Sequence, residues 1–193
     1  MELKGKKLIL GSHSPRRQEL LSGLGIEFTI DTENSFEETF PPETPHPQVP
    51  AMMSEGKSLG FHRDLEDDEI LLTSDTMVLC GSVIMGKPHS PEEAATMLKT
   101  LSGKWHEVIT AITVRDNKKH VTISDVARVH FRDLTDEEIN YYIDKYKPFD
   151  KAGAYAIQEW IGYVGITGIE GSFFTIMGLP VHLVYSTLQE FIG

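Results

Sequence analysis

Ser12-His13-Ser14-Pro15-Arg16-Arg17 places two hydroxyls and two guanidiniums at one strand-to-helix junction. The stretch follows the apolar run Leu8-Ile9-Leu10-Gly11 and opens the helical pattern Gln18-Glu19-Leu20-Leu21. Ser14 suits an N-cap and Pro15 the first helical position. Arg16 and Arg17 then fall in the first turn, where the positive end of the helix dipole disfavours cations by roughly 0.3–1 kcal/mol each. A bound phosphate resolves the conflict through backbone N–H groups, hydroxyls and guanidiniums. A capped surface helix with solvated arginines is the alternative.

Other residues carry comparable chemistry. Asp75 interrupts the apolar run Ile70-Leu71-Leu72-Thr73-Ser74-Asp75-Thr76-Met77-Val78. Burying its carboxylate without a partner costs several kcal/mol. It reads either as a metal ligand or general base acting on water, or as a structural Asp bonded to backbone. Lys87, in Met85-Gly86-Lys87-Pro88, is a candidate phosphate ligand or a solvated lysine. Asp150-Lys151-Ala152-Gly153-Ala154-Tyr155 sets opposite charges beside small residues that let backbone approach a ligand, or forms a tight turn with a solvated ion pair. The Gln158 amide both donates and accepts, as a pyrimidine edge requires. Glu37 and Glu38 lie in a Pro/Glu-rich loop and are candidate metal ligands. The eight histidines show no zinc spacing, and one cysteine makes no zinc site. No Walker A motif, dinucleotide fingerprint or nucleophile elbow occurs.

Apolar runs over 6–11, 70–79 and 83–85, and the apolar/polar alternation over 27–32, predict strands. Segments 106–115 and 119–131 predict a hairpin around Asp116-Asn117. Stretches near 163–169 and 173–177 read as late strands. Helices are expected over 15–23, more weakly over 52–63, and at the capping boxes Ser90-Pro91-Glu92-Glu93 and Thr135-Asp136-Glu137-Glu138, with a terminal helix over 180–191. Their irregular alternation favours an α/β fold, a mixed sheet with helices packed on it.

The 193 residues suit one domain, or two small lobes around a shared sheet. A net charge of −11 disfavours duplex nucleic acid as a partner, while leaving room for a small anionic ligand and a divalent cation. With one cysteine no internal disulfide forms, and a reducing, cytoplasmic compartment is expected. No secretory pattern and no apolar run of membrane-spanning length is read, so no membrane partner is expected. A homodimer is a base-rate expectation.

The ordered series SHSPRRQELL (12–21), SDT (74–76), GKP (86–88), LSGKWHEVIT (101–110), FRDLTDEEI (131–139), DKAGAYAIQ (150–158) and GLP (178–180) resembles the Maf nucleotide pyrophosphatases. The likeness runs from about residue 8 to 188, nearly the whole chain. It implies a single Maf-like domain over 1–193. That domain would be elongated, with a twisted mixed sheet, flanking helices and two lobes around a central cleft, similar to inosine-triphosphate pyrophosphatase. It implies hydrolysis of a nucleoside triphosphate between the α and β phosphates, with a divalent cation (Mg²⁺ or Mn²⁺) as cofactor. Ser14 and Arg17 would hold phosphate oxygens, and Asp75 would be the base or steer the attacking water. Glu37 and Asp75 would bind the metal, and Lys57 and Lys87 would neutralise developing charge. Lys151 is carried over as substrate-binding. Arg16, Thr76 and Gln158 match the branch acting on dTTP and UTP. A nucleotide-binding regulator of septum formation is the alternative implied, and a phosphatase releasing only the γ-phosphate a third. Four departures stand out. An extra residue in the glutamate loop leaves Glu33, Glu37 and Glu38 as alternatives. Ser54-Glu55-Gly56 precedes Lys57 where a Leu-Ala pair is common. Ala127-Arg128-Val129 replaces a Thr-Lys-Val pattern, and Glu159-Trp160 follows Gln158 where glycine is usual.

Overall fold

The apolar run ahead of Ser12 forms β1 (Lys7–Leu10), and its Leu8, Ile9 and Leu10 are all buried. Helix α1 (Pro15–Ser22) follows, and β2 (Phe28–Ile30) returns parallel to β1, with Leu8 opposite Phe28. On the other flank lies β3 (Glu69–Cys80), also parallel, with Leu10 opposite Leu72. Parallel strands are covered on both faces, so they read as continuous apolar runs rather than alternation. This computed structural model describes residues 2–192.

Strand β4 (Val83–Met85) folds back antiparallel on β3, with Val78 opposite Met85. Strands β5 (Trp105–Arg115), β6 (His120–Phe131) and β7 (Ile166–Glu170) complete a seven-stranded mixed sheet of order β2-β1-β3-β5-β6-β7, with β4 on β3. The β5–β6 turn closes where Asp116 Oδ1 accepts from the Lys118 and Lys119 N–H groups, each at 2.8 Å. Strand β7 is antiparallel to β6. The helices are α2 (Val49–Leu59), α3 (Pro91–Leu101), α4 (Asp136–Tyr146), α5 (Trp160–Gly165), α6 (Phe173–Met177) and α7 (Val181–Ile192). The α/β class and mixed sheet agree with the sequence expectation.

Three local expectations differ. The capping box of α4 is complete, but in α3 the Glu93 carboxylate takes the His89 N–H instead of that of Ser90. The stretch 173–177 is helical. The Ser172 carbonyl accepts from the Thr175 and Ile176 N–H groups at 3.2 and 3.4 Å, and Phe173 and Phe174 stay exposed while Thr175, Ile176 and Met177 are buried. That block pattern is not the alternation of a strand. Tyr163 lies in α5, so the late strand begins only at Ile166.

The described residues divide into two compact units. The first comprises residues up to Asp75, Thr110–Asp125 and Gly178 onward, and the second Thr76–Ile109 and Val126–Met177. In the first, Ile9, Phe61, Leu65 and Leu71 form a buried cluster. In the second, α3 packs on α4, and Leu98, Leu101, Ile139, Tyr142 and Ile143 are buried.

Candidate active site

In the first unit, polar side chains buried under α2 determine where Lys57 goes. The Ser54 and Thr113 hydroxyls share a hydrogen bond of 3.0 Å, and Thr73 Oγ1 donates to the Ser54 carbonyl at 2.8 Å. One helical turn on, Ser58 Oγ accepts from Arg115 Nε at 3.3 Å. Residues two apart share a strand face and residues three or four apart share a helix face. The register that seats Thr73 on Ser54 therefore brings Asp75 to Lys57. Lys57 Nζ donates to Asp75 Oδ1 at 2.7 Å, with side chains only 15 % and 19 % exposed.

The second carboxylate beside Lys57 belongs to Glu38, at 3.2 Å, one of the three loop glutamates held as alternatives for the metal. Glu33 lies 3.8 Å from His62 Nδ1 instead. The cause is a seat for Phe36. A Cβ at Gly56 would lie 2.2 Å from the Phe36 ring, and one at Gly60 2.9 Å from its Cβ. Two glycines one turn apart thus open α2 to an aromatic side chain. The loop is pinned at Phe36, a tight turn closes from the Thr39 N–H onto the Glu37 carbonyl at 2.7 Å, and Glu38 is delivered to Lys57. Gly56, a departure from the family pattern, thereby acquires a reason.

At the junction after β1, the Ser14 hydroxyl does not cap α1. The Ser14 N–H donates to Ser12 Oγ at 3.2 Å, and Ser12 Oγ also accepts from Arg17 Nη1 at 3.3 Å. Arg17 is a clamp. Its Nε donates to the Gly178 carbonyl at 2.8 Å and its Nη1 to the Ser74 carbonyl at 3.0 Å, next to Asp75. Desolvation pulls the Arg17 guanidinium below its ordinary pKa, Asp75 opposes this, Arg16 adds to it and Glu38 opposes it. Arg16 lies half-buried one residue earlier in the same first turn.

Asp75 and Glu38 share one cation, so this carboxylate pair suits a hard divalent ion. Mg²⁺ commonly takes one or two carboxylates and completes its shell with water and substrate phosphates. No group of three or more His, Cys, Asp or Glu side chains able to hold a metal is present among the described residues. The donor set thus fits a metal shared with substrate, not an all-protein cage.

In the second unit, the Gly153 N–H donates to the Gly86 carbonyl at 3.1 Å, which joins the segment of Lys151 to that of Lys87. Gly153 has φ +70°, and a Cβ there would meet both Val78 methyls at 3.1 Å, so glycine alone suits this approach to β3. Lys87 is exposed and Thr76 half-buried. Lys151 is buried, with Nζ 2.8 Å from Asp150 Oδ1 and 3.4 Å from Glu159 Oε1. The Tyr142 hydroxyl donates to Glu159 Oε2 and accepts from the Ala156 N–H at 3.1 Å. Gln158 Oε1 is buried with no hydrogen-bond partner among the described residues. An unsatisfied buried acceptor costs about 1–3 kcal/mol until a donor reaches it.

Sequence reading missed the Phe36 and Ser54–Thr113 contacts around Lys57 in the first unit and the Tyr142 contact in the second, and it marked Glu159 only as a departure beside Gln158. The Ser54/Ser58 and Gly56/Gly60 spacings were the available signals. The remaining departures are accounted for. Arg128 pairs with Glu170 at 2.7 Å and lies 5.0 Å over the Trp105 ring, and Trp160 packs edge-on to Tyr141 at 4.7 Å.

The model of the family described as "Maf-like protein" matches residues 7–191. A dTTP/UTP pyrophosphatase of Phocaeicola vulgatus is 46% identical over 97% of this chain and 97% of its own. One of Parabacteroides distasonis is 46% identical over 98% of each. One of Porphyromonas gingivalis is 44% identical over 98% of this chain and 96% of its own. Collinear motifs, a mixed α/β sheet and full-length likeness agree: the chain belongs to the family of Maf-like proteins.

Proposed function

We propose that this protein hydrolyses dTTP and UTP to the nucleoside monophosphate and pyrophosphate, with a divalent cation as cofactor. Relatives of that printed name, 44–46% identical over almost the entire chain, carry the reading. The Lys57–Asp75–Glu38 group supplies its chemistry.

In this reading the Asp75 carboxylate accepts the proton of the attacking water, and Lys57 orients that carboxylate through its 2.7 Å hydrogen bond. Glu38 and Asp75 would hold the cation, which when bound screens phosphate charge and polarises a phosphoryl oxygen. Arg17 keeps the first turn of α1 against Ser74, and Ser14, Arg16 and the first-turn N–H groups bind phosphate oxygens. Lys87 neutralises charge on the leaving pyrophosphate. Gln158, with its unsatisfied acceptor, takes the imide N–H of uracil or thymine, and Thr76 and Lys151 complete the nucleotide contacts. No helix among the described residues is long and apolar enough to cross a membrane. A cytoplasmic setting fits the single cysteine.

The test is product analysis with dTTP, UTP, CTP and GTP, in Mg²⁺ or Mn²⁺ and in EDTA. Metal-dependent pyrophosphate release from dTTP and UTP, and far less from GTP, is expected. Orthophosphate as the only product, or no turnover at all, overturns the reading.

A further inference from the structure

Glu159 is a charged, largely buried side chain to which the reaction assigns no step, yet it touches two candidate substrate-binding segments. One carboxylate oxygen lies 3.4 Å from the buried Lys151 ammonium. The other accepts from Tyr142, a fully buried residue whose hydroxyl is itself bound by the Ala156 N–H. A line of two hydrogen bonds and one ion pair thus runs from the backbone at 156 through Tyr142 and Glu159 to Lys151. Gln158 lies in the chain between Ala156 and Glu159, both held by this line, and its buried amide oxygen awaits a donor.

The charges are informative. Lys151 is flanked by two carboxylates, Asp150 at 2.8 Å and Glu159 at 3.4 Å, so the group carries a net −1. That charge repels a triphosphate. An ammonium so compensated is suited to donate to a neutral acceptor such as a pyrimidine carbonyl. Asp150 is 61 % exposed at its side chain against 22 % for Glu159, so Glu159 is the more firmly held of the two.

We infer that Glu159 is the positioning residue for base selectivity: it aims the Lys151 ammonium and, through Tyr142, the backbone carrying Gln158, so that uracil or thymine is preferred over cytosine. This rests on the proposed dTTP/UTP activity. Glu159→Ala should raise KM for UTP about tenfold, with a smaller change in kcat, and lower the UTP-over-CTP preference at least about fivefold, as expected for one lost hydrogen-bond constraint. Affinity for UMP, measured by calorimetry, should fall in parallel. Glu159→Gln keeps an acceptor for Tyr142 but removes the charge that aims Lys151, so it should lower the preference by about twofold, less than Glu159→Ala does.

Failure of the unmodified protein to release pyrophosphate from dTTP or UTP refutes the functional reading. An active unmodified protein whose Glu159→Ala variant loses thermal stability but keeps its UTP-over-CTP ratio refutes this inference alone. Should Glu159→Ala not fold, Glu159→Gln decides. A ratio lowered by at least about twofold with weaker UMP binding then supports the inference, and an unchanged ratio overturns it.

Discussion

Replacing Gly56 with alanine sets two effects of known sign against each other. Within a helix, alanine is favoured over glycine by about 1 kcal/mol. Here, however, the new methyl would lie 2.2, 2.4 and 2.7 Å from three Phe36 ring atoms, so the ring must leave its seat. Burying a Phe side chain is worth about 1.5–3 kcal/mol, which the half-buried Phe36 would forfeit in large part. The loss exceeds the gain, and Gly56→Ala should destabilise by about 0.5–2 kcal/mol. For a chain of this length that lowers Tm by roughly 1–8 °C. Function should suffer more. Glu38 reaches Lys57 because Phe36 anchors its loop, so kcat/KM should fall about 10–100-fold, as when support for a metal-binding carboxylate is lost. Thermal denaturation and pyrophosphate release read the two effects separately. The double variant Phe36→Ala/Gly56→Ala provides the control: with the ring gone, alanine at 56 should add about 1 kcal/mol to the stability of Phe36→Ala alone. A Gly56→Ala protein with raised Tm and unchanged kcat/KM would show that the ring swings aside without moving Glu38, and the account of the loop would be wrong.

Asp75→Asn should lower kcat about 10²–10⁴-fold while a non-hydrolysable UTP analogue still binds, and turnover within a few-fold of the parent would remove Asp75 from its assigned role. Arg17→Lys loses the geometry that serves Ser12, Ser74 and Gly178 together, so a stability loss of about 1–3 kcal/mol is expected in denaturant titration. Burial holds His106 neutral, its pKa lowered from 6.5 to about 4, with His130 contributing. Because the folded value is below the unfolded one, its contribution is complete above pH 6.5 and is lost as pH falls towards 4, about 3 kcal/mol in all. His106→Gln should flatten the fall in Tm across that window, and an unaltered slope would count against the assignment.

Much of the framework was legible in the sequence because it depends on local periodicity. The apolar runs at 8–10 and 70–72 had to be strands covered on both faces, and Thr135 with Glu138 had to start a helix. Asp75 also announced itself, as a carboxylate inside an apolar strand. Which partner meets it was not local. Lys57 reaches Asp75 only because Ser54 and Ser58 are bonded to β-strand residues Thr73, Thr113 and Arg115. The choice of Glu38 over Glu37 hangs on a Phe36 ring resting on two glycines, a contact that leaves no periodic trace. Arg17 looked like a phosphate ligand by type and place, yet its nearest partners include a carbonyl 161 residues away. The unsatisfied Gln158 oxygen and the tether through Glu159 follow likewise from how packed segments exclude water and fix which donors arrive. Sequence alone determined which side chains have the chemistry to act and which elements carry them, since side-chain type and spacing are written along the chain. Their partners were decided by tertiary structure, since hydrogen bonds and ion pairs form between groups that only packing brings within 3 Å.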